Sequence, residues 1–308
     1  MSIWTTLEAP VMPPPAIPVL SVGNLKGGVG KTSVVANLAV ALTLKGLRVL
    51  AIDLDFQASL SVALPPNVMP RYEIADGGVH ALLSENYDMF HNSHVTAMGV
   101  SPFADLSLVR TSLELAEVED KLFAAFILGE RENDPRFALA RKLSDPRLAR
   151  DFDLVVIDTP PRLTMASINA FCASTHVLVP TALTSMSRSG AETFVHYLKE
   201  FRKTLCPSLD MLGVVPTFTA HEELTLPERR VVEQLRLYLP GIDVWEEPVV
   251  PRRAGIANNE VLKDKALRGI FAGVARKIIL KLGLKPDGSP QDRYSHRSAR
   301  FGGAGLSQ

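Results

Sequence analysis

Short apolar runs alternate with stretches of helical spacing over most of the chain. Val19-Leu20-Ser21-Val22 is the first run. Val34, Val35, Leu38, Ala39 and Leu42 then recur at helical spacing up to Gly46, a residue suited to a helix C-terminus. Further runs are Arg48 to Ile52, Leu106 to Val109, Leu154 to Ile157, His176 to Val179 and Met211 to Val215. They read as near-continuous Val/Ile/Leu, the pattern of strands covered on both faces. With helices between them they predict an α/β fold, doubly wound, in which a mostly parallel sheet carries helices on both faces. Thr111 to Leu122 predicts a helix with Leu113, Leu115, Ala116, Val118 and Leu122 as its apolar set, and Pro135 to Leu143 predicts another. Segments 68–104 and 129–150 are less regular, and no internal repeat is visible.

The ends break this pattern. Residues 1–18 hold Pro10, Pro13, Pro14, Pro15 and Pro18, so an extended arm is expected there. Residues 286–308 are rich in Gly, Ser, Arg and Asp, which predicts a mobile tail. Between them, residues 19–285 read as one domain.

Composition excludes several classes. The 33 Lys and Arg balance 33 Asp and Glu, so any contact with nucleic acid must come from a local basic patch. Cys172 and Cys206 are far apart in sequence and in no metal-ligand spacing, so a disulfide framework is not expected, and a reducing cytoplasm fits. No apolar run reaches the length of a membrane span, and no basic start followed by an apolar stretch marks a signal peptide.

The candidate chemistry begins at Lys26-Gly27-Gly28-Val29-Gly30-Lys31-Thr32-Ser33, which follows one strand and opens one helix. Glycines let successive backbone N–H groups turn toward an anion, and the helix N-terminus adds the positive end of a dipole. Lys31 supplies a full charge for the outer phosphates of a nucleotide, and the Thr32 hydroxyl suits Mg²⁺. The general phosphate loop is G-x-x-x-x-G-K-[ST]; here Asn24 or Leu25 stands where its first glycine would be, and an extra lysine, Lys26, precedes Gly27. Two apolar strands end in carboxylates: Asp53-Leu54-Asp55-Phe56-Gln57 and Asp158-Thr159-Pro160-Pro161. The carboxyl ends of parallel strands face the ligand crevice of such a sheet.

In these elements the chain resembles the ParA/MinD family of deviant Walker A ATPases, whose loop is KGGxGK[ST]. The likeness runs from residue 19 to about 285 and is most specific at the phosphate motifs. It implies ATP and Mg²⁺ as cofactors and an ATP-dependent homodimer with nucleotide held between subunits. It implies that Lys26 reaches the partner's nucleotide, that Asp55 positions the attacking water, and that Asp53 and Asp158 support the metal with Thr32. The family carries D-x-D-P-Q where this chain has Phe56 in place of proline. Ser187 to Gly190 is similar to the family's helix start after Val177-Leu178-Val179-Pro180. Gly213 to Thr217 is similar to the strand bordering the base, and Val250-Pro251-Arg252-Arg253 to the loop closing over adenine, which implies a nucleotide contact at Pro251.

The resemblance leaves open what the ATP dimer holds. ParA-type proteins bind DNA non-specifically and release it when a ParB-like partner triggers hydrolysis, which implies a cytoplasmic, nucleoid-associated protein moving a plasmid, a chromosome or a protein cargo. Residues 252–285 suit this, with Arg252, Arg253, Lys263, Lys265, Arg268, Arg276, Lys277, Lys281 and Lys285 against Glu260 and Asp264; Arg229 and Arg230 extend the set. The family's arginine a few residues beyond Val-Pro-Arg is replaced here by Gly255 and Ile256. A MinD-like membrane-surface role is the alternative, because Ile270 to Leu284 mixes apolar residues with Arg276, Lys277 and Lys281. Cluster carriage, as in the nitrogenase iron protein, lacks its cysteines. With 25 residues before Lys26, several of them proline, no operator-binding domain is expected. His91 and His94 read as a loop pair rather than a metal site, and Glu222, Glu223 and Glu228 as surface charge. Trp4 lies in the arm, where docking on the domain and docking on a partner are both open.

Overall fold

The computed structural model describes residues 3–5, 8–64, 78–84, 96–97, 105–111, 113–130, 133–257 and 265–286. Lys263, the pair His91 and His94, and residues 287–308 of the expected tail lie outside them. Among the described residues one sheet is formed by β1 (Val19–Val22), β2 (Val49–Asp53), β3 (Thr96–Ala97), β4 (Leu106–Val109), β5 (Leu154–Asp158), β6 (His176–Ala182), β7 (Asp210–Thr219) and β8 (Val250–Pro251). Their order is β3-β4-β2-β5-β1-β6-β7-β8. Every pairing is parallel except β3 with β4, at the edge.

Eleven helices surround this sheet among the described residues: α1 (Lys31–Leu44), α2 (Ser59–Ala63), α3 (Val79–Leu82), α4 (Glu114–Ile127), α5 (Ala138–Leu143), α6 (Leu148–Asp151), α7 (Met165–Ala173), α8 (Ser185–Thr204), α9 (Leu226–Tyr238), α10 (Ala254–Ala257) and α11 (Lys265–Leu282). Successive strand residues point to opposite faces, so each strand feeds two cores. Val19, Leu50, Ile52, Val155, Ile157 and Val177 pack against α3, α4, α5, α7 and α8. Leu20, Val22, Val49, Ala51, Leu154, Val156 and Leu178 pack against α1 and α11. The expected doubly wound architecture is present.

α1 is buried around its whole circumference, from Val34 to Leu42, which a helix apolar on every side requires. Its one interior amide, Asn37, donates to the carbonyls of Ser33 and Ile256 at 2.7 and 3.1 Å. α11 turns Leu267, Ile270, Phe271, Val274, Ala275 and Ile278 inward.

Local expectations are corrected in two places, at α4 and at Glu228. The helix expected over Thr111 to Leu122 begins at Glu114 and runs to Ile127. Its inward stripe is Leu115, Val118, Leu122 and Phe126, at helical spacing, whereas Leu113 precedes the first turn and is 78% exposed and Ala116 faces outward. Glu228 is not idle surface charge. It accepts from Thr225 N and Oγ1 at 2.8 and 2.7 Å and from Ala220 N at 2.8 Å, closing a capping box at the start of α9. The two cysteines, far apart in sequence, meet: Cys206 hydrogen-bonds Cys172, which together with burial pushes the Cys172 thiol well above its ordinary value. Both are free thiols lining a cavity of about 600 Å³ beneath Pro10 to Pro15.

The proline-rich arm packs on the domain. Ile3–Thr5 forms a single 3-10 turn. Trp4 is buried, its ring 5.7 Å from that of Phe123 and 5.4 Å from that of Phe126. Arg136 is fully buried, pairs with Asp134 at 2.6 Å, and donates to the carbonyls of Trp4 and Glu8 at 2.6 and 3.1 Å. Ala16 N donates to Leu143 O at 2.9 Å. Arg136→Ala would strand the buried Asp134 charge and two carbonyls. It is expected to cost about 3–5 kcal/mol, read by denaturant unfolding, with faster hydrogen exchange in residues 3–16.

Candidate functional site

The three motif strands are neighbours, in the order β2-β5-β1. Register then decides which residues meet at their carboxyl ends: Asp53 pairs with Asp158, and Val22 with Asp158. The loop between β1 and α1 crosses this end. Asn24, buried, fixes it by donating to Pro180 O at 2.8 Å and accepting from Lys26 N at 3.0 Å. The Thr217 hydroxyl donates to Val29 O at 2.9 Å, and the Val29 side chain is buried. Gly28 and Gly30 have φ of +72° and +85°, a region L side chains avoid. A Cβ on Gly27 or Gly28 would meet nothing within 4 Å. The space above them is an open cradle beneath the N-terminus of α1.

That cradle belongs to a cavity of about 410 Å³ lined by Gly27, Gly28, Gly30, Lys31, Thr32, Ser33, Asp55, Pro161 and Phe218. Lys31 is buried and donates to Lys26 O at 3.1 Å. Burial lowers its pKa, and Asp158 and Asp55 raise it. Asp53 is fully buried and held on both oxygens: Oδ1 accepts from Asp55 N at 3.1 Å, and Oδ2 accepts from Ser61 N and Oγ, each at 2.7 Å. Burial still raises Asp53 to about 6 against these bonds. Asp158 is fully buried, and neither carboxylate oxygen has a partner at hydrogen-bonding geometry among the described residues. Burial, then the Asp53 charge, raise it to about 8, with the Thr32 hydroxyl and Lys31 pulling the other way. Asp55 accepts from Gln57 N at 3.0 Å and faces the cavity.

Lys26 takes a different direction. Its Nζ donates to Ser187 Oγ at 3.0 Å, at the start of α8, and its stem packs on Gly190. Phe56 lies under the guanidinium of Arg162, 5.9 Å from its ring centre, so the loops after β2 and β5 touch. Pro251 lines a second cavity of about 530 Å³, with residues 220–225 and Arg252 and Arg253. The basic residues are unequal. Arg229 pairs with Glu246 at 3.4 Å and Arg253 with Glu222 at 2.6 Å, while Arg252 covers the ring of Phe218 at 5.8 Å. Arg230, Lys265 and Arg268 are exposed with no ion pair among the described residues.

A family model described as an AAA domain matches residues 17–211. Soj, a chromosome-partitioning ATPase of Thermus thermophilus, is 30% identical over 239 residues, 77% of this chain and 82% of Soj. The chain belongs to the ParA/MinD family of P-loop ATPases. Protein SopA of Escherichia coli K12 is 32% identical over 202 residues, 65% of this chain, and the chain spans 49% of SopA. Among solved structures, cobyrinic acid a,c-diamide synthase from Mycobacterium smegmatis, with bound ADP and magnesium, is 28% identical, with a TM-score of 0.66 over 89% of this chain and 98% of its own.

For a ParA-type ATPase the donor set fits a hard divalent cation. Asp158 presents two unpartnered oxygens beside a threonine hydroxyl, and oxygen ligands are what Mg²⁺ takes. Asp53 is committed to Ser61 and Asp55 N and fits a supporting role. Sequence reading passed over Ser61, which carried no motif, and Phe218, whose only signal was an aromatic between Thr217 and Thr219 at a strand end. Asp158→Asn removes an ionisable group that the fold leaves unpaired. In magnesium-free buffer it is expected to raise the unfolding temperature by on the order of 2 °C, and to lose the further rise that Mg-ATP gives the unsubstituted chain. Scanning fluorimetry reads both.

Proposed function

We propose that this ParA-type ATPase binds ATP with Mg²⁺, forms an ATP-dependent homodimer that holds DNA non-specifically, and moves a plasmid, chromosome or protein cargo. A ParB-like partner stimulates hydrolysis and releases the DNA. The observation that carries the reading is the division of labour between two lysines five residues apart. Lys31 lines the phosphate cavity, whereas the ammonium of Lys26 is bonded to Ser187 at the rim, at 3.0 Å. A second cation unused by its own cavity suits a nucleotide on a facing subunit. Thr32 and Asp158 would hold the metal, which supplies charge compensation for the phosphates when bound. Asp55, at the mouth of the cavity, would align water for attack on the terminal phosphorus.

Arg230, Lys265 and Arg268 carry the DNA reading best, being exposed and unpaired among the described residues. Arg229, Arg252 and Arg253 contribute after leaving intramolecular partners. The membrane alternative is weakened, because Leu267, Ile270, Phe271, Val274 and Ile278 of α11 are buried against the domain and Ile279 and Leu282 pack partly on it, which leaves Leu280 as the exposed large apolar residue of that helix. No helix of the described residues is long and apolar enough to cross a membrane. Cluster carriage is disfavoured by the thiols, which lie near the amino ends of β6 and β7, away from the phosphate loop.

Lys31→Ala is expected to abolish nucleotide binding in titration calorimetry. Asp55→Ala is expected to accumulate as a dimer with ATP in sizing chromatography; a monomer there would sink the dimer reading. The dimer is expected to retain non-specific duplex DNA with ATP but not ADP, and to lose it steeply as salt rises. Arg268→Glu should weaken that binding without changing nucleotide affinity. Absence of DNA binding by the Asp55→Ala dimer would remove DNA as the track.

A further inference from the structure

We infer that Cys172 and Cys206 are a modification site: hydrogen peroxide converts them to a reversible disulfide, which staples the far ends of α7 and α8. The inference does not depend on the nucleotide reading. The sheet brings the two cysteines together. β6 and β7 are parallel neighbours, with His176 opposite Asp210 at their amino ends. Cys172 and Cys206 each stand four residues before that pair. Asp210 N donates to Thr175 O at 2.8 Å, which ties the two approaches to each other. Cys172 is on the last turn of α7, and Cys206 is in the turn after α8. That turn is held by Cys206 N donating to Phe201 O at 3.0 Å and Leu209 N donating to Cys206 O at 2.9 Å. Beside them the ring of Phe171 faces that of Phe201, 6.4 Å between centres. A disulfide forms only where the backbone already brings two sulfurs into contact. This frame does so, and the two thiols hydrogen-bond across it.

Access comes from the side of the arm. Both thiols line the cavity of about 600 Å³ beneath Pro10 to Pro15, with Cys206 buried and Cys172 half-buried. One sulfur, as its thiolate, attacks an oxygen of hydrogen peroxide. The O–O bond breaks, the sulfur becomes a sulfenic acid, and the displaced hydroxide leaves as water with the thiol's proton. The second thiol attacks that sulfur and gives its proton to the departing hydroxyl, so a second water leaves as the S–S bond forms. In all, two thiols lose two electrons and two protons, and the peroxide is reduced to two waters. Burial and the neighbouring thiol keep Cys172 protonated, so the reaction is slow and answers sustained oxidation. In a reducing compartment such a bond is transient and not structural. The stapled helices begin at the opposite end of the sheet. α7 follows the Pro160-Pro161 loop, and α8 starts two residues before the Ser187 that holds Lys26. The rings of Phe171 and Phe194, 5.6 Å apart, lie against Gly23 at the entrance to the phosphate loop.

The test exposes the folded, reduced chain to hydrogen peroxide, then denatures it and counts free thiols by alkylation, a count that methionine oxidation leaves untouched. The expected product has no alkylatable thiol, yields a peptide linking Cys172 to Cys206 in mass spectrometry, runs as a single chain on a non-reducing gel, and regains both thiols with dithiothreitol. It is expected to unfold several degrees higher than the reduced chain, because the bond restricts the unfolded state, and dithiothreitol should abolish that rise. Of Cys172→Ser and Cys206→Ser, at least one is expected to hold a sulfenic acid that dimedone traps and that the unsubstituted chain does not accumulate. Thiols that stay free under prolonged peroxide, separate oxidation of each to a sulfinic acid, or a bond between two chains would each overturn the inference. A disulfide that fails to raise the unfolding temperature would mean that it forms only in an opened chain, and overturns it too. Because the unsubstituted chain carries the thiol count, the linked peptide and the unfolding temperature, the matter is decided even where a serine variant fails to fold.

Discussion

The parallel pairing of β2 with β5 places Asp53 and Asp158 side by side in a fully buried setting. Everything at the carboxyl end of the sheet answers to that juxtaposition. Like charges in a low-dielectric site disfavour each other's ionisation. The chain meets the cost for Asp53 with three hydrogen bonds from Asp55 and Ser61, and leaves Asp158 facing Lys31 and Thr32 with both oxygens unpartnered. Burial beside Asp53 therefore favours the protonated form of Asp158, and a divalent cation at this corner would stabilise its ionised form. The two apolar cores on either side of the sheet hold this strained corner in place, because neither α1 nor β5 can move without opening them.

What was legible in the sequence follows from this division. Strands that must be apolar on both faces announce themselves, and β1, β4 and β5 were readable to within a residue. The phosphate loop was readable because its chemistry depends on residue types at fixed spacing. Features made by chain segments meeting from afar were not. Cys172 and Cys206 are neighbours because α7 and the turn after α8 lead into β6 and β7, which lie side by side in the sheet, at their amino ends. Trp4 docks because Arg136, on a distant segment, supplies donors for arm carbonyls that proline-rich sequence cannot pair internally. The start of α4 is not legible in the apolar pattern, because Leu113 satisfies that pattern while lying before the first helical turn. Phe218 was invisible because a bulge reverses the direction that strand alternation would give it.

Basic residues illustrate the same limit on counting. Residues 252–285 look uniformly cationic in sequence, yet Lys281 lies 2.9 Å from Asp243, Lys277 covers Trp245 at 4.4 Å, and Arg236 and Arg229 share Glu246. These cations help fasten α11 and α9 to the loop around Asp243 to Glu246. The charge that remains directed at solvent is a smaller set, on faces set by helix rotation and not by composition.

The contact between Phe56 and Arg162 bears on how this chain diverged from relatives that carry a proline at the first position. An aromatic ring beneath a guanidinium is a two-residue device, and its halves sit on loops more than a hundred positions apart. Each half has little reason to persist without the other. Chimeras that swap one of these loops with a relative would inherit a mismatched half, so the two loops should be exchanged as a unit, and the pair should drift together as lineages separate.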